Sequence, residues 1–430
     1  MDLMKKIIFI LFAVMIVFFP SCNRGKKSGK TDEVTDIEIW FHSGQGSERE
    51  VLNAQVADFN VMQNKIKVTA KQLPEGSYTE QVNAAALAGD LPDLLDFDGP
   101  FVYNFVWAGY LIPLDDYVNK ELLDDLLPSI IKQGTYKGNL YSIGVFDSGL
   151  GLFANRKYLE KAGLRIPDSV ENTWSGSEFS QALEKLQRLP EVEYALDLKM
   201  NYGKGEWYTY GFSPILQSFN ADLIDRKSFQ KSGGILNSTE AVSAMQMFQS
   251  WFENDYTKYN PGGDTDFTDG KAALSYVGHW MYNPLKNALK ENLVLLPMPA
   301  FGKKSATGMG SWNWGITKSS KNPKAAMVFL NYLLNPDQIL RMTNANGAIP
   351  ARKSAIEKTE AFKKGGDLAI YIEQLEKTAI PRPQTAAYTI ITNSFADAID
   401  DIAQGSDIKT ALNNAAAKID QDIKDNKGYQ

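Results

Sequence analysis

Between Ile37 and Asp98 the apolar residues change period from segment to segment, and this alternation restricts the chain more than any other feature. Ile37-Glu38-Ile39-Trp40-Phe41 alternates every second residue, as a strand does. A turn, His42-Ser43-Gly44-Gln45-Gly46, follows, and Ser47 is placed to cap a helix whose apolar face is Leu52, Val56 and Phe59. Residues 66–70 read as a second strand. Ser77-Tyr78-Thr79-Glu80 has the spacing of a capping box and opens a helix through Leu87. A Gly-Asp-Leu-Pro turn then leads into a short buried strand, 94–97, with Asp98 at its carboxyl end. Strand, helix, strand, helix, strand predicts a parallel α/β sheet, whose ligands sit beyond the carboxyl ends of the strands. The His42–Gln45 exit and Asp98 both lie at such ends.

The totals narrow the function. The 430 residues suffice for two or three domains. A net charge of −6 argues against nucleic acid, whose phosphates require a basic surface. The two histidines, His42 and His279, exclude a multi-histidine metal centre and most histidine acid–base chemistry, so no metal and no cofactor is expected. The single cysteine, Cys22, cannot form an internal disulfide. Its position is informative. Lys5-Lys6 precede an apolar run, Ile7 to Phe19, of signal-peptide length and too short to span a bilayer comfortably. Ser21-Cys22 then reads as a lipoprotein cleavage site, with Phe19 and Pro20 before it; an ordinary signal peptide with an incidental cysteine is the alternative. Residues 1–21 would be the leader, and 22–36 a lipidated cysteine with a Gly/Lys/Ser-rich tether.

Downstream, Tyr136-Lys137-Gly138-Asn139 leads into an apolar run interrupted by Asp147, then by Ser148 to Gly151. A second apolar run ends at Asn155-Arg156-Lys157, where a helix begins. Together with Ala108-Gly109-Tyr110-Leu111-Ile112-Pro113-Leu114-Asp115, Trp174, Phe267-Thr268-Asp269-Gly270-Lys271-Ala272-Ala273-Leu274 and Gly347-Ala348-Ile349-Pro350-Ala351-Arg352, this stretch resembles the extracellular solute-binding proteins of ABC transporters, in the branch that carries sugars and oligosaccharides. The resemblance covers nearly all of the mature chain, with at least six motifs in family order. It implies an α/β, two-lobed, periplasmic-binding-protein-like fold of type II. Residues 37–146 plus 294–320 would form lobe 1 and 147–293 plus 321–430 lobe 2, with crossings near Gly144–Asp147, Leu293–Met298 and Lys321.

The trehalose/maltose-binding pattern of that family implies a set of ligand contacts. Asp98 ends the third strand and is a hydroxyl acceptor or a helix cap. Asp147 on the crossing strand is a ligand or a hinge ion pair, because a bare buried carboxylate is costly. Gln45 and Glu48 follow the first strand, and Glu48 serves equally well as a first-turn helix charge. Tyr78 is a rim contact or core. Trp280 and Trp312 match stacking positions, Ser311 stands where the pattern has a second glycine, Trp207 and Trp314 are further candidates, and Arg382 between two prolines is a fixed donor. Trp107, Trp174 and Trp251 read as core. Carboxylates, a planar guanidinium and flat aromatics suit hydroxyl edges and apolar ring faces. The expected function is therefore a non-enzymatic, monomeric, lipid-anchored, extracytoplasmic sugar receptor that delivers its ligand to permease subunits. The alternatives are the same fold binding a glycerol phosphodiester, polyamine or peptide, a glycan-capture lipoprotein without a permease, and a secreted glycoside hydrolase.

Overall fold

The computed structural model describes residues 34–44, 46–74 and 77–429. The expectations for the leader, Cys22 and Gln45 lie outside the described residues. The first strand already begins at Thr35, inside the expected tether.

The opening alternation folds as the periodicity requires. Strands β1 (Thr35–His42), β2 (Ile66–Leu73) and β3 (Leu94–Asp98) alternate with helices α1 (Gly46–Met62) and α2 (Tyr78–Ala88). β1 lies between β2 and β3, parallel to both. The fourth strand of this sheet, Trp312–Ile316, comes from far downstream and pairs antiparallel with β3, setting Trp312 opposite Asp98. Two caps differ from expectation. Helix α1 starts at Gly46, so Ser47 lies within its first turn, where its hydroxyl donates to the Ala345 carbonyl. The Ser77 side chain makes no cap bond, and its oxygen accepts from Gln81 instead.

A second sheet has the order Leu293–Leu296, Leu150–Asn155, Ala272–Gly278, Tyr194–Asp197. Helices Gly176–Gln187, Glu206–Ser218, Thr239–Glu253, Tyr388–Ala403 and Ile408–Asp425 bury one continuous core with it. Phe179, Phe212, Phe248, Trp251, Ile391, Phe395 and Ile419 are buried there, each contributing roughly 1.5–3 kcal/mol.

The lobe boundaries differ from those expected. The apolar run at Leu293–Leu296 is not a crossing strand of lobe 1. It extends the second sheet by pairing antiparallel with Leu150–Asn155. A continuous apolar run has no period that tells which sheet it will join. Helices Pro323–Leu333 and Pro336–Asn346 belong to lobe 1, because Ala326, Phe329, Leu330 and Ile339 share a core with Ile39, Val56 and Phe59. The Phe59 ring meets Phe329 edge-on at 5.0 Å. The chain rejoins the second lobe only after helix Lys353–Ile356, where Phe362, Leu368 and Tyr371 bury against Phe153 and Phe267. No crossing therefore occurs at Lys321.

Four segments meet at the waist. Phe146-Asp147 pairs antiparallel with Ile349-Pro350, and Thr307–Met309 pairs parallel with Ala379–Pro381. Gly149 bridges Met309 between the two pairs.

Candidate functional site

Asp98, Glu206 and Arg382 join the lobes. Asp98 ends β3 in lobe 1, Glu206 opens a second-lobe helix, and Arg382 follows the waist strand Ala379–Pro381. The Arg382 guanidinium is buried and bidentate on Asp98: Nη1 donates to Oδ2 at 2.5 Å and Nη2 to Oδ1 at 2.6 Å. Nη1 also donates to Glu206 Oε1 at 2.5 Å. Glu206 further accepts from the Tyr388 hydroxyl and, at 2.7 Å, from Thr392. Burial works against the charge on Arg382, but Asp98 and Glu206 outweigh it and raise its pKa well above the ordinary value. Burial likewise pushes the Glu206 carboxyl up, opposed by Arg382. The guanidinium carbon lies 4.9 Å from the centre of the Tyr210 ring, a cation–π contact. Arg382 Nε has no hydrogen-bond partner among the described residues. Asp98 thus answers the guanidinium, not a helix cap, and shares it with Glu206.

On the lobe 1 side, Trp312 is half-buried and stacks on His42, with ring centres 3.6 Å apart and planes 6° from parallel. His42 Nδ1 lies 2.5 Å from Oδ2 of buried Asp96. Burial raises the Asp96 pKa, with His42 pulling the other way. Tyr78 meets Trp312 edge-on, but its hydroxyl donates to the Asp96 carbonyl and the residue is buried. Tyr78 is therefore a support beneath Trp312, and Trp314 is buried in the lobe 1 core. Glu48 accepts from Asn346 at 2.8 Å. Asn346 also presents its carbonyl to His279 Nδ1 at 2.9 Å, and burial lowers the His279 pKa. A cavity of about 30 Å³ lies between His42, Glu48, Asp96 and Trp312. Ligand pockets usually measure about 300–1,000 Å³, so this space holds water at most.

On the second lobe, Trp280 is half-buried at the end of strand Ala272–Gly278. Its ring folds back over Gly278, where any Cβ would come within 2.0 Å of it. Its Nε1 donates to the Tyr202 hydroxyl at 3.1 Å. Trp207 abuts it edge-on at 5.9 Å but is buried and donates to the Leu198 carbonyl, so Trp207 packs beneath the Trp280 ring.

Asp147 lies at the waist, fully buried. Its Oδ1 accepts from Ser148 N at 2.8 Å, and from Gln133 Nε2 and Gly310 N at 3.2 Å each. Among the described residues no salt bridge involves it, so of the two readings, ligand contact or hinge ion pair, the ion pair does not form; three N–H donors meet the carboxylate instead. Burial raises its pKa, partly offset by these bonds. Ser311 is also buried. Its N–H donates to Gln133 Oε1 and its carbonyl accepts from Gly99 N–H, so its backbone is committed within the waist.

The structure thus brings Asp98, Arg382, Trp280 and Trp312 to the lobe junction, sets Glu48 beside it, and places Tyr78, Trp207, Asp147 and Ser311 behind it. Sequence reasoning missed Glu206, Tyr210, Gln133 and the His42 stack. His42 was within reach, since it ends β1 as Asp98 ends β3. Glu206 reads like any first-turn helix charge, and nothing in its spacing points to Arg382.

Among the described residues no group of three or more His, Cys, Asp or Glu is arranged to hold a metal, and no helix is long and apolar enough to cross a membrane. A profile of bacterial extracellular solute-binding proteins matches residues 54–370. The chain is 25% identical to the maltodextrin-binding protein MdxE of Bacillus subtilis, over 99% of both chains. It is 23% identical to the maltotriose-binding protein of Pyrococcus abyssi, over 89% of this chain and 81% of that one. Among solved structures it superposes on the GacH receptor of Streptomyces glaucescens with a TM-score of 0.77 at 22% identity, covering 91% and 98% of the two chains. A solute-binding protein of Thermotoga lettingae, bound with α-D-tagatose, gives 0.78 at 20% identity, covering 90% and 99%. The likenesses to solved structures show the two-lobed fold.

Proposed function

The chain belongs to the family of bacterial extracellular solute-binding proteins, and on that premise we propose that it captures a neutral oligosaccharide, of the maltodextrin class, between its lobes and delivers it to ABC permease subunits. One observation carries the ligand class: each lobe brings a half-buried tryptophan, Trp312 or Trp280, to the junction that the Asp98–Arg382 pair spans. Flat indoles suit the apolar faces of glucose rings, and carboxylates with a planar guanidinium suit hydroxyl edges. The maltodextrin- and maltotriose-binding relatives support the same class. Two carboxylates support a reading of binding without catalysis: Asp98 is engaged by Arg382 and Asp147 is buried in the waist. A leader at 1–21, lipidation at Cys22, a tether after it and a monomeric state complete the proposal, with the receptor held outside the cytoplasm by its lipid.

The test is thermal unfolding of the leaderless Cys22→Ala protein with maltose, maltotriose, trehalose, mannobiose, spermidine and glycerophosphocholine. A ligand at a hundredfold excess over its Kd adds about 2.7 kcal/mol. Maltotriose is expected to raise Tm in the parent and to lose that effect in Trp280→Ala and Trp312→Ala. A shift with spermidine or glycerophosphocholine alone would overturn the ligand class.

A further inference from the structure

Lys199 is a fully buried lysine outside the contacts just described. Its side chain and that of Asp197 are both 0% exposed, with Nζ 2.8 Å from Asp197 Oδ2. Nζ also donates to the Asp264 carbonyl at 3.1 Å and lies 3.6 Å from Asp264 Oδ1. Asp197 is itself anchored: Oδ1 accepts the Lys199 N–H at 2.9 Å and Oδ2 accepts from Ser275 at 3.1 Å. Asn201 Nδ2 donates to Asp264 Oδ1 at 3.1 Å, so both ends of the turn grip one residue. The Lys199 backbone has φ +53°, the left-handed region where a side chain is disfavoured and glycine or asparagine would serve a mere turn. A buried ammonium persists only where it is paired and hydrogen-bonded. This turn therefore carries two costs that a simple connection would avoid.

Both exits of the turn lead to the tryptophans. The Leu198 carbonyl accepts from Trp207 Nε1 at 3.1 Å, and the Tyr202 hydroxyl accepts from Trp280 Nε1 at 3.1 Å. The Tyr202 ring also abuts Trp207 edge-on at 5.3 Å. We propose that Lys199 is a positioning residue of the ligand site: its ammonium gathers Asp197 and Asp264 around the 198–202 turn and so holds the Tyr202 hydroxyl where it fixes the Trp280 indole. The consequence for binding rests on the reading of Trp280 as a sugar platform; the positioning itself does not.

The test separates the two. The indole N–H resonance of Trp280 is assigned by its loss in Trp280→Phe and followed without ligand, alongside Tm and the maltotriose Kd. Tyr202→Phe keeps the ring and removes the acceptor. It is expected to move the resonance, to leave Tm within about 2 °C, and to weaken maltotriose by about tenfold. Lys199→Met is expected to lower Tm and to move the same resonance. Asp264→Ala, at a half-exposed position, removes the second carboxylate with less risk to folding and is expected to move it less. An unmoved Trp280 resonance in folded Lys199→Met, or in Asp264→Ala if Lys199→Met does not fold, overturns the positioning role. If the parent binds no maltotriose while the resonance moves as expected, the ligand reading fails and the positioning stands.

Discussion

A carboxyl such as Asp147 survives in an apolar waist because three N–H donors converge on one of its oxygens. Its raised pKa has a consequence for stability. A carboxyl with a folded value above its unfolded value is protonated more readily in the folded chain. Its stabilising contribution is therefore greatest in acid and is lost as pH rises from about 4 through the folded value. Asp147→Asn keeps an acceptor oxygen and cannot ionise. The difference in Tm between variant and parent is expected to be smallest near pH 4 and to grow in the variant's favour toward pH 8. Thermal unfolding across that range checks it, and parallel profiles would mean that Asp147 is not the group losing its proton. The sequence offered this residue as a ligand contact or a hinge ion pair, because a bare buried carboxylate is costly. It did not reveal that the partners would be a glutamine side chain and two backbone N–H groups, because those converge only through the third dimension.

At the level of elements, Ser77-Tyr78-Thr79-Glu80 and Ser175-Gly176-Ser177-Glu178 read identically as capping boxes. Only the second forms. Ser175 Oγ accepts from the Glu178 N–H while Glu178 accepts the Ser175 N–H at 2.9 Å. Ser175→Ala is expected to cost about 1 kcal/mol and Ser77→Ala close to nothing; urea unfolding of the two variants distinguishes them. The difference lies in the backbone. Ser175 is extended, at φ −69° and ψ 164°, whereas Ser77 is at φ −127° and ψ 16°, outside the extended region of an N-cap, and its oxygen meets the Gln81 side chain instead of a backbone N–H. Strand and helix types were thus legible from period, since β1 to β3 and the helices between them lie where the apolar spacing puts them. Partner choice was not, as Leu293–Leu296 demonstrates. Trp107 makes the same point for single side chains. Read as core, it is 43% exposed, and its ring meets Tyr429 edge-on across the lobes at 4.9 Å.

Across the whole molecule, the Asp98–Arg382–Glu206 cluster is the charged tie between lobes. Asp98→Asn removes the bidentate half and leaves Arg382 paired with Glu206 on its own side. The ligand-free variant is expected to open, with a larger radius of gyration in small-angle scattering than the parent; an unchanged curve would show that other contacts hold the lobes together. The order in which the chain supplies its parts has a further effect. The segment synthesised first, β1 to β3, receives its fourth strand at Trp312–Ile316 and its covering helices at Pro323–Asn346. At a ribosomal pace of about 5–20 residues per second, roughly 10–40 s separate β3 from that strand. The amino-terminal lobe is therefore begun early and completed late: β1, β2 and β3 can pair at once, but their fourth strand and the helices that share their core arrive more than 200 residues later.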